Sequence, residues 1–191
     1  MQNPVILLHG LDDTPQVLQP LARYLVDRGW TVHTPALTPS TGEVGLDHLA
    51  QQVATFVETH LDPTQTLDLV GFSMGGIVGR YYAQRLGGLA RMDRLVTIAS
   101  PHRGTWLGYG RWNVGAAQMR VGSEFLADLN QDLTALERVA FTSFWTPWDL
   151  MIVPAQSSVL PVGRSQSFPV ALHPWMLRDD RVLAAVAQAL T

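Results

Sequence analysis

Ser73 lies in the stretch Gly71-Phe72-Ser73-Met74-Gly75, a G-x-S-x-G pattern between the apolar run Leu67-Asp68-Leu69-Val70 and the helical segment beginning Ile77-Val78. A serine in a sharp strand-to-helix turn carries strained backbone angles and projects its hydroxyl above the sheet. Gly71 and Gly75 remove the β-carbons that would crowd that turn. The Met74 N–H, at a helix N-terminus, points to where an oxyanion would form, and the Leu11 N–H after His9-Gly10 is the expected second donor. Serine chemistry also needs a base, and the base needs an orienting carboxylate. In the chain order nucleophile, acid, histidine, only His102 and His173 lie downstream of Ser73. His173 follows the last predicted strand and is the expected base; His102, in Ser100-Pro101-His102-Arg103-Gly104, is its rival at another strand end. Asp149, in Trp145-Thr146-Pro147-Trp148-Asp149, follows the preceding strand and is the expected acid. Asp12 and Asp13 precede the serine and read as loop or helix-cap residues, and His9 as a ring that orders its own loop. Asp128 and Asp132 read as solvent-facing helix charges.

Apolar residues in loops and past strand ends supply candidate substrate contacts: Leu11, Trp106, Leu107, Tyr109, Trp112, Met151 and Val153. Arg103 and Arg111 read as solvated arginines that a substrate anion could meet. Other chemistries lose ground on composition. All 13 basic residues are arginine and there is no cysteine, which removes Schiff-base lysine, thiol catalysis and thiolate metal sites. His48 and His60 stand twelve residues apart on one predicted helix, too far for a two-histidine zinc face, so no metal site is expected. A net charge of −3 with scattered arginines disfavours nucleic-acid binding.

Short apolar runs alternating with helical stripes must position these residues. Strands are expected at 5–8, 31–37, 66–72, 94–99, 138–145 and 166–172, and helices over 17–26, 46–61, 74–86, 123–136 and 181–190. Such alternation implies β-α-β crossovers: an α/β fold with about six mostly parallel strands, helices on both faces, and ligands beyond the strands' carboxyl ends. At 191 residues and with 47% hydrophobic content the chain predicts one domain, 1–191, with a substantial core. The irregular stretch Gly104–Gly122 is too short for a cap domain, so an open site is expected. No run is long and apolar enough to span a membrane, and the start lacks a signal-peptide pattern, which points to a cytoplasmic protein.

The chain resembles the small lipase/esterase branch of the α/β-hydrolase superfamily along nearly its whole length. The resemblance rests on the His9-Gly10 turn, Gly71 to Tyr82 (GFSMGGIVGRYY), Ser100 to Thr105 (SPHRGT), Gly122 to Asn130 (GSEFLADLN), and Asp149 to Pro154 (DLMIVP) leading to His173. Phe72 stands where many such lipases carry histidine. The resemblance implies a minimal α/β-hydrolase fold, a Ser73–His173–Asp149 triad, oxyanion donation by the Leu11 and Met74 amides, and no cofactor. The expected activity is hydrolysis of hydrophobic carboxylic esters through an acyl-enzyme, on a small-molecule ester or lipid substrate. Acyl transfer, thioester or amide hydrolysis would use the same triad. A catalytically silent binding module on the same scaffold is the remaining alternative.

Overall fold

A computed structural model describes residues 2–191. Six strands, β1 (Val5–Leu8), β2 (Val32–His33), β3 (Leu67–Phe72), β4 (Met92–Ile98), β5 (Ala140–Trp145) and β6 (Arg164–Ser167), form one sheet in the order β2-β1-β3-β4-β5-β6. Every neighbouring pair is parallel. The chain runs outward from β1 to β2, then crosses back to lay β3 on β1's other side. The direction of progress therefore reverses between β1 and β3, where sheets of this kind open a crevice. The Gly10 turn and Ser73 follow those two strands.

Side-chain alternation explains why the sheet is covered on both faces. Along β1, Val5 and Leu7 enter one core with α1 (Gln19–Val26) and α6 (Asp180–Ala189). Ile6 and Leu8 enter the other, with α2 (Leu46–His60), α3 (Met74–Arg85) and, further along the chain, α5 (Glu124–Gln131). All four β1 side chains are fully buried, so the strand reads as one apolar run instead of an alternating one.

Both edge strands differ from the pattern expected of the sequence. The 31–37 run keeps only the two-residue ladder Val32–His33, because Pro35 has no N–H to extend it. The 166–172 run is displaced: β6 is Arg164–Ser167, four polar, exposed residues, while Phe168 and Val170 turn down into the core beyond it. Pro169 stops this ladder in the same way, and a polar edge discourages pairing with another chain. Pro15 and Pro20 split the first helix into a 3-10 turn (Pro15–Leu18) followed by α1. The 123–136 helix ends at Gln131 and continues as a 3-10 turn over Leu133–Arg138. The 104–122 stretch is also more ordered than expected. Thr105 caps a 3-10 turn (Trp106–Gly110), and Asn113 caps α4 (Val114–Gln118). Among the described residues no helix is long and apolar enough to cross a membrane.

Candidate active site

Ser73 sits between β3 and α3 with φ 53° and ψ −121°, a conformation that a residue bearing a β-carbon rarely adopts. Close packing of the turn holds it there. A β-carbon on Gly71 would fall against the Gly76 backbone, and one on Gly75 would stand 2.6 Å from the His9 carbonyl oxygen. The Ser73 N–H donates to the Ile98 carbonyl at 2.8 Å, fixing the elbow to β4. Neither the Leu11 nor the Met74 N–H is spent on a protein partner among the described residues. The Gly10 turn lies directly against the serine, since a β-carbon there would be 3.2 Å from Ser73 Cβ.

His173 opens a 3-10 turn after β6, and its Nδ1 is 2.8 Å from Asp149 Oδ2. Both side chains are buried. The other Asp149 oxygen accepts the Met151 and Ile152 N–H groups, each at 2.9 Å, which fixes the carboxylate's orientation. Thr146 Oγ1 donates to the Val170 carbonyl at 2.7 Å and so ties the acid-bearing loop to the histidine-bearing loop. With Nδ1 facing the carboxylate, Nε2 is the ring nitrogen left to exchange a proton. Phe72 packs on His173 with ring centroids 4.8 Å apart, a contact visible in the sequence only as the residue before the serine. Ser73 and His173 line one cavity of about 540 Å³, a size typical of small-molecule sites. The Ser73 hydroxyl has no side-chain hydrogen bond among the described residues.

The other two histidines near strand ends are committed elsewhere. His9 accepts the Leu37 N–H at Nε2 (3.0 Å), and its Nδ1 donates to the Gly10 carbonyl (3.0 Å). Burial holds its pKa below the ordinary value. His102 is fully buried outside the cavity, with Nε2 2.9 Å from Thr97 Oγ1 and Nδ1 3.4 Å from an Arg80 nitrogen. Burial, then the charges of Arg80 and Arg103, hold its pKa well below the ordinary value. Arg80 is itself fully buried and has no carboxylate partner among the described residues. Its guanidinium donates to Gln84, the Leu129 carbonyl and Asn130, and Asn130 donates to the His102 carbonyl. This network braces the Ser100–Thr105 stretch, whose Pro101 and Thr105 line the cavity.

Of the expected substrate contacts, Leu11, Leu107 and Met151 line the cavity. Trp106, Tyr109, Trp112 and Val153 do not; Trp112 is 95% exposed, and Trp106 stacks on Tyr109 outside. The sequence marks them as apolar and near the site, but in the 3-10 turn at 106–110 Trp106 and Tyr109 stand three residues apart, on the one side of the turn that faces away from the cavity. Met119, Ala116 and Ile152 line the cavity instead. Among the described residues, ten of the eleven exposed large hydrophobic residues fall in three segments, 106–114, 148–151 and 172–175, each of which also contributes to the cavity wall. The site is thus framed by apolar surface, with 104–122 as one wall. Arg111 is not a free cation: it makes a two-pronged ion pair with Asp12 across the rim. Asp128 and Asp132 pair with Arg85. A larger cavity of about 980 Å³ lies at the opposite, amino-terminal strand ends beside Arg94, Phe141 and Arg164, remote from Ser73 and His173.

Residues 4–108, just over half of the chain, match the palmitoyl protein thioesterase family. The match spans the Gly10 turn, the elbow and the SPHRGT stretch, and ends before Asp149 and His173. The mature lipase BlEst2 of Bacillus licheniformis superposes with a TM-score of 0.82 at 14% identity, over 100% of this chain and 92% of that one. Lipase B of Aspergillus fumigatus gives 0.83 at 16% identity, over 99% and 52%. An extracellular α/β-hydrolase from a Paenibacillus species gives 0.66 at 17% identity, over 98% and 97%. These likenesses establish the α/β-hydrolase fold.

Proposed function

The chain belongs to the palmitoyl protein thioesterase family, and from that premise we propose that it is a serine carboxylic-ester hydrolase acting on hydrophobic acyl esters. The observation that carries the reading is a buried His173–Asp149 pair at 2.8 Å, on the same cavity as a serine in a strained elbow. His173 Nε2 takes the Ser73 proton as Oγ attacks the acyl carbonyl carbon. The Leu11 and Met74 amides stabilise the tetrahedral oxyanion, each worth roughly 10²–10³ in rate by analogy with a measured side-chain donor. The intermediate collapses as His173 protonates the departing alcohol, leaving an acyl-enzyme. Water then gives one proton to His173 and attacks the acyl carbon; the C–Oγ bond breaks as His173 returns that proton to Ser73 Oγ, releasing the acid and restoring the free serine. Asp149, bonded to Nδ1, holds the imidazole tautomer and orientation and stabilises the imidazolium. The apolar cavity wall and the exposed apolar frame suit a greasy acyl chain.

A fluorophosphonate probe followed by identification of the labelled residue tests the reading. Ser73 takes the label, Ser73→Ala does not, and Asp149→Asn or His173→Ala lowers turnover of p-nitrophenyl esters by about 10⁴ or more. An unlabelled protein with no turnover refutes it. The family match favours a second reading, thioester hydrolysis by the same steps. Acyl thioesters and oxygen esters of equal chain length, compared by kcat/KM, separate the two.

A further inference from the structure

The His173 imidazole has two ties to the protein, and the reaction steps above use only one of them. Among the described residues its ring makes one hydrogen bond, from Nδ1 to Asp149. It also makes one aromatic contact, to Phe72, with ring centroids 4.8 Å apart and planes tilted by 40°. A bond at Nδ1 fixes one corner of the ring and leaves it able to pivot about that corner. Such a pivot carries Nε2, the nitrogen that exchanges protons, out of line with the serine. The Phe72 ring is the second point of contact that limits it.

The backbone of Phe72 is locked into the sheet. It ends β3 opposite Ile98 of β4, and the Ser73 N–H that follows donates to the Ile98 carbonyl. Its side chain is buried in the core that α1 and α6 share with the sheet, the cluster that also holds Ile98, Phe144, Phe168 and Val170. Among the described residues it is the one member of that core that also lines the cavity with Ser73 and His173. A β-carbon on Gly10 would stand 3.4 Å from Phe72 Cδ1, so the ring lies against the turn that carries the Leu11 amide as well. Close packing leaves a ring so placed little room to move. The base and the oxyanion turn are thereby set against one ring, and that ring belongs to the residue next to the nucleophile. We propose that Phe72 is a positioning residue, holding the imidazole so that Nε2 stays in reach of Ser73 Oγ and of the departing oxygen. The assignment rests on the ester-hydrolase reading above.

Phe72→Leu tests it against Phe144→Leu, which removes a ring from the same core at a position that does not line the cavity. The readouts are kcat and KM for p-nitrophenyl butyrate, with Tm as the measure of damage to the core. Phe72→Leu lowers kcat by about 10–100-fold, the cost of a reacting group misplaced by up to about 1 Å, and leaves KM within about threefold. Phe144→Leu keeps kcat within about threefold, whatever its Tm. In a His173→Ala background, adding Phe72→Leu changes the residual rate by less than about twofold, because Phe72 acts through the histidine. Three outcomes overturn the proposal and leave the hydrolase reading standing: a kcat loss no larger than in Phe144→Leu, a loss carried by KM instead, or an equal loss with His173 removed. Absent turnover together with no fluorophosphonate label at Ser73 overturns the hydrolase reading, and this proposal with it. The wild type supplies a test that no folding failure removes. Nuclear Overhauser contacts between the Phe72 and His173 ring protons are expected, and their absence overturns the proposal.

Discussion

Replacing Ser73 by glycine should make the protein more stable, although it destroys the proposed nucleophile. Ser73 is held at φ 53° and ψ −121°, where its β-carbon is strained, and such conformations cost about 1–3 kcal/mol for residues other than glycine. Glycine relieves that cost but loses about 0.4–1 kcal/mol by making the unfolded chain freer. The balance is a gain of about 1 kcal/mol, which raises Tm by roughly 2–4 °C for a chain of this length. The hydroxyl contributes nothing to offset this, because it has no side-chain hydrogen bond among the described residues. Ser73→Ala is the control: it removes the hydroxyl but keeps the β-carbon, and therefore the strain. Calorimetry and urea unfolding of the three proteins at one pH give the comparison, and the difference between the glycine and alanine variants isolates the backbone. A glycine variant no more stable than the alanine variant would show that the elbow stores no strain at Ser73. The reasoning from its dihedral angles would then fail.

Two further outcomes follow from buried groups around the site. His9 and His102 have folded-state pKa values below 6.5 because burial disfavours their charged forms. Below that pH the unfolded chain binds protons that the native state refuses, so the stability they contribute is full above 6.5 and is lost as pH falls. The urea midpoint should drop between about pH 7.5 and about pH 5.5, less steeply in His102→Asn; a flat midpoint would contradict this. Arg80→Lys should cost about 1–3 kcal/mol in urea unfolding, because an ammonium cannot reproduce the guanidinium fork and leaves the part-buried Asn130 Oδ1 without its donor, whereas the Leu129 carbonyl keeps Gln84. A change below about 0.5 kcal/mol would mean the network does not need the fork.

The central strands and the elbow were legible in the sequence because one physical cause dominates each. Leu67–Phe72 is apolar along its length since it is buried on both faces, and Gly71 and Gly75 must be glycine because their β-carbons have no room. The edges were not legible from apolar pattern alone. Arg164–Ser167 has no buried side chain, so its strand character comes only from hydrogen bonds to β5. The acid and histidine candidates follow from chain order, and the folded chain brings them to 2.8 Å. The cavity wall was read less well: proximity in sequence put Trp106, Tyr109 and Trp112 at the substrate, whereas the first two face outward from the turn that Thr105 caps and Trp112, beyond that turn, is exposed. Asp13 read as a loop residue because two adjacent aspartates carry no signal of which one is paired. Only the fold separates Asp12, held by Arg111 at the rim, from Asp13, which lines the cavity.

The same contacts explain how a short segment can wall the site where no helical cap is inserted. Thr105 Oγ1 donates to the Met151 carbonyl at 2.9 Å and accepts the Val153 N–H at 3.0 Å, while the Trp106 N–H donates to the Val153 carbonyl. These bonds splice the start of the 104–122 wall onto the loop that carries Asp149. Ser157 Oγ adds a bond to the Gly104 carbonyl, and the Asp12–Arg111 pair joins the wall's far side to the Gly10 turn. The first set is buried or partly buried backbone bonding, whereas the ion pair is about half exposed and therefore screened by salt. The wall is thus anchored to the acid-bearing loop at its start and to the 41–47 segment further along, where the Gly115 N–H donates to the Gly42 carbonyl, Asn113 Nδ2 to the Thr41 carbonyl and Gln118 Nε2 to Asp47. Of these ties, the Asp12–Arg111 pair on the cavity rim is the one that added salt weakens most.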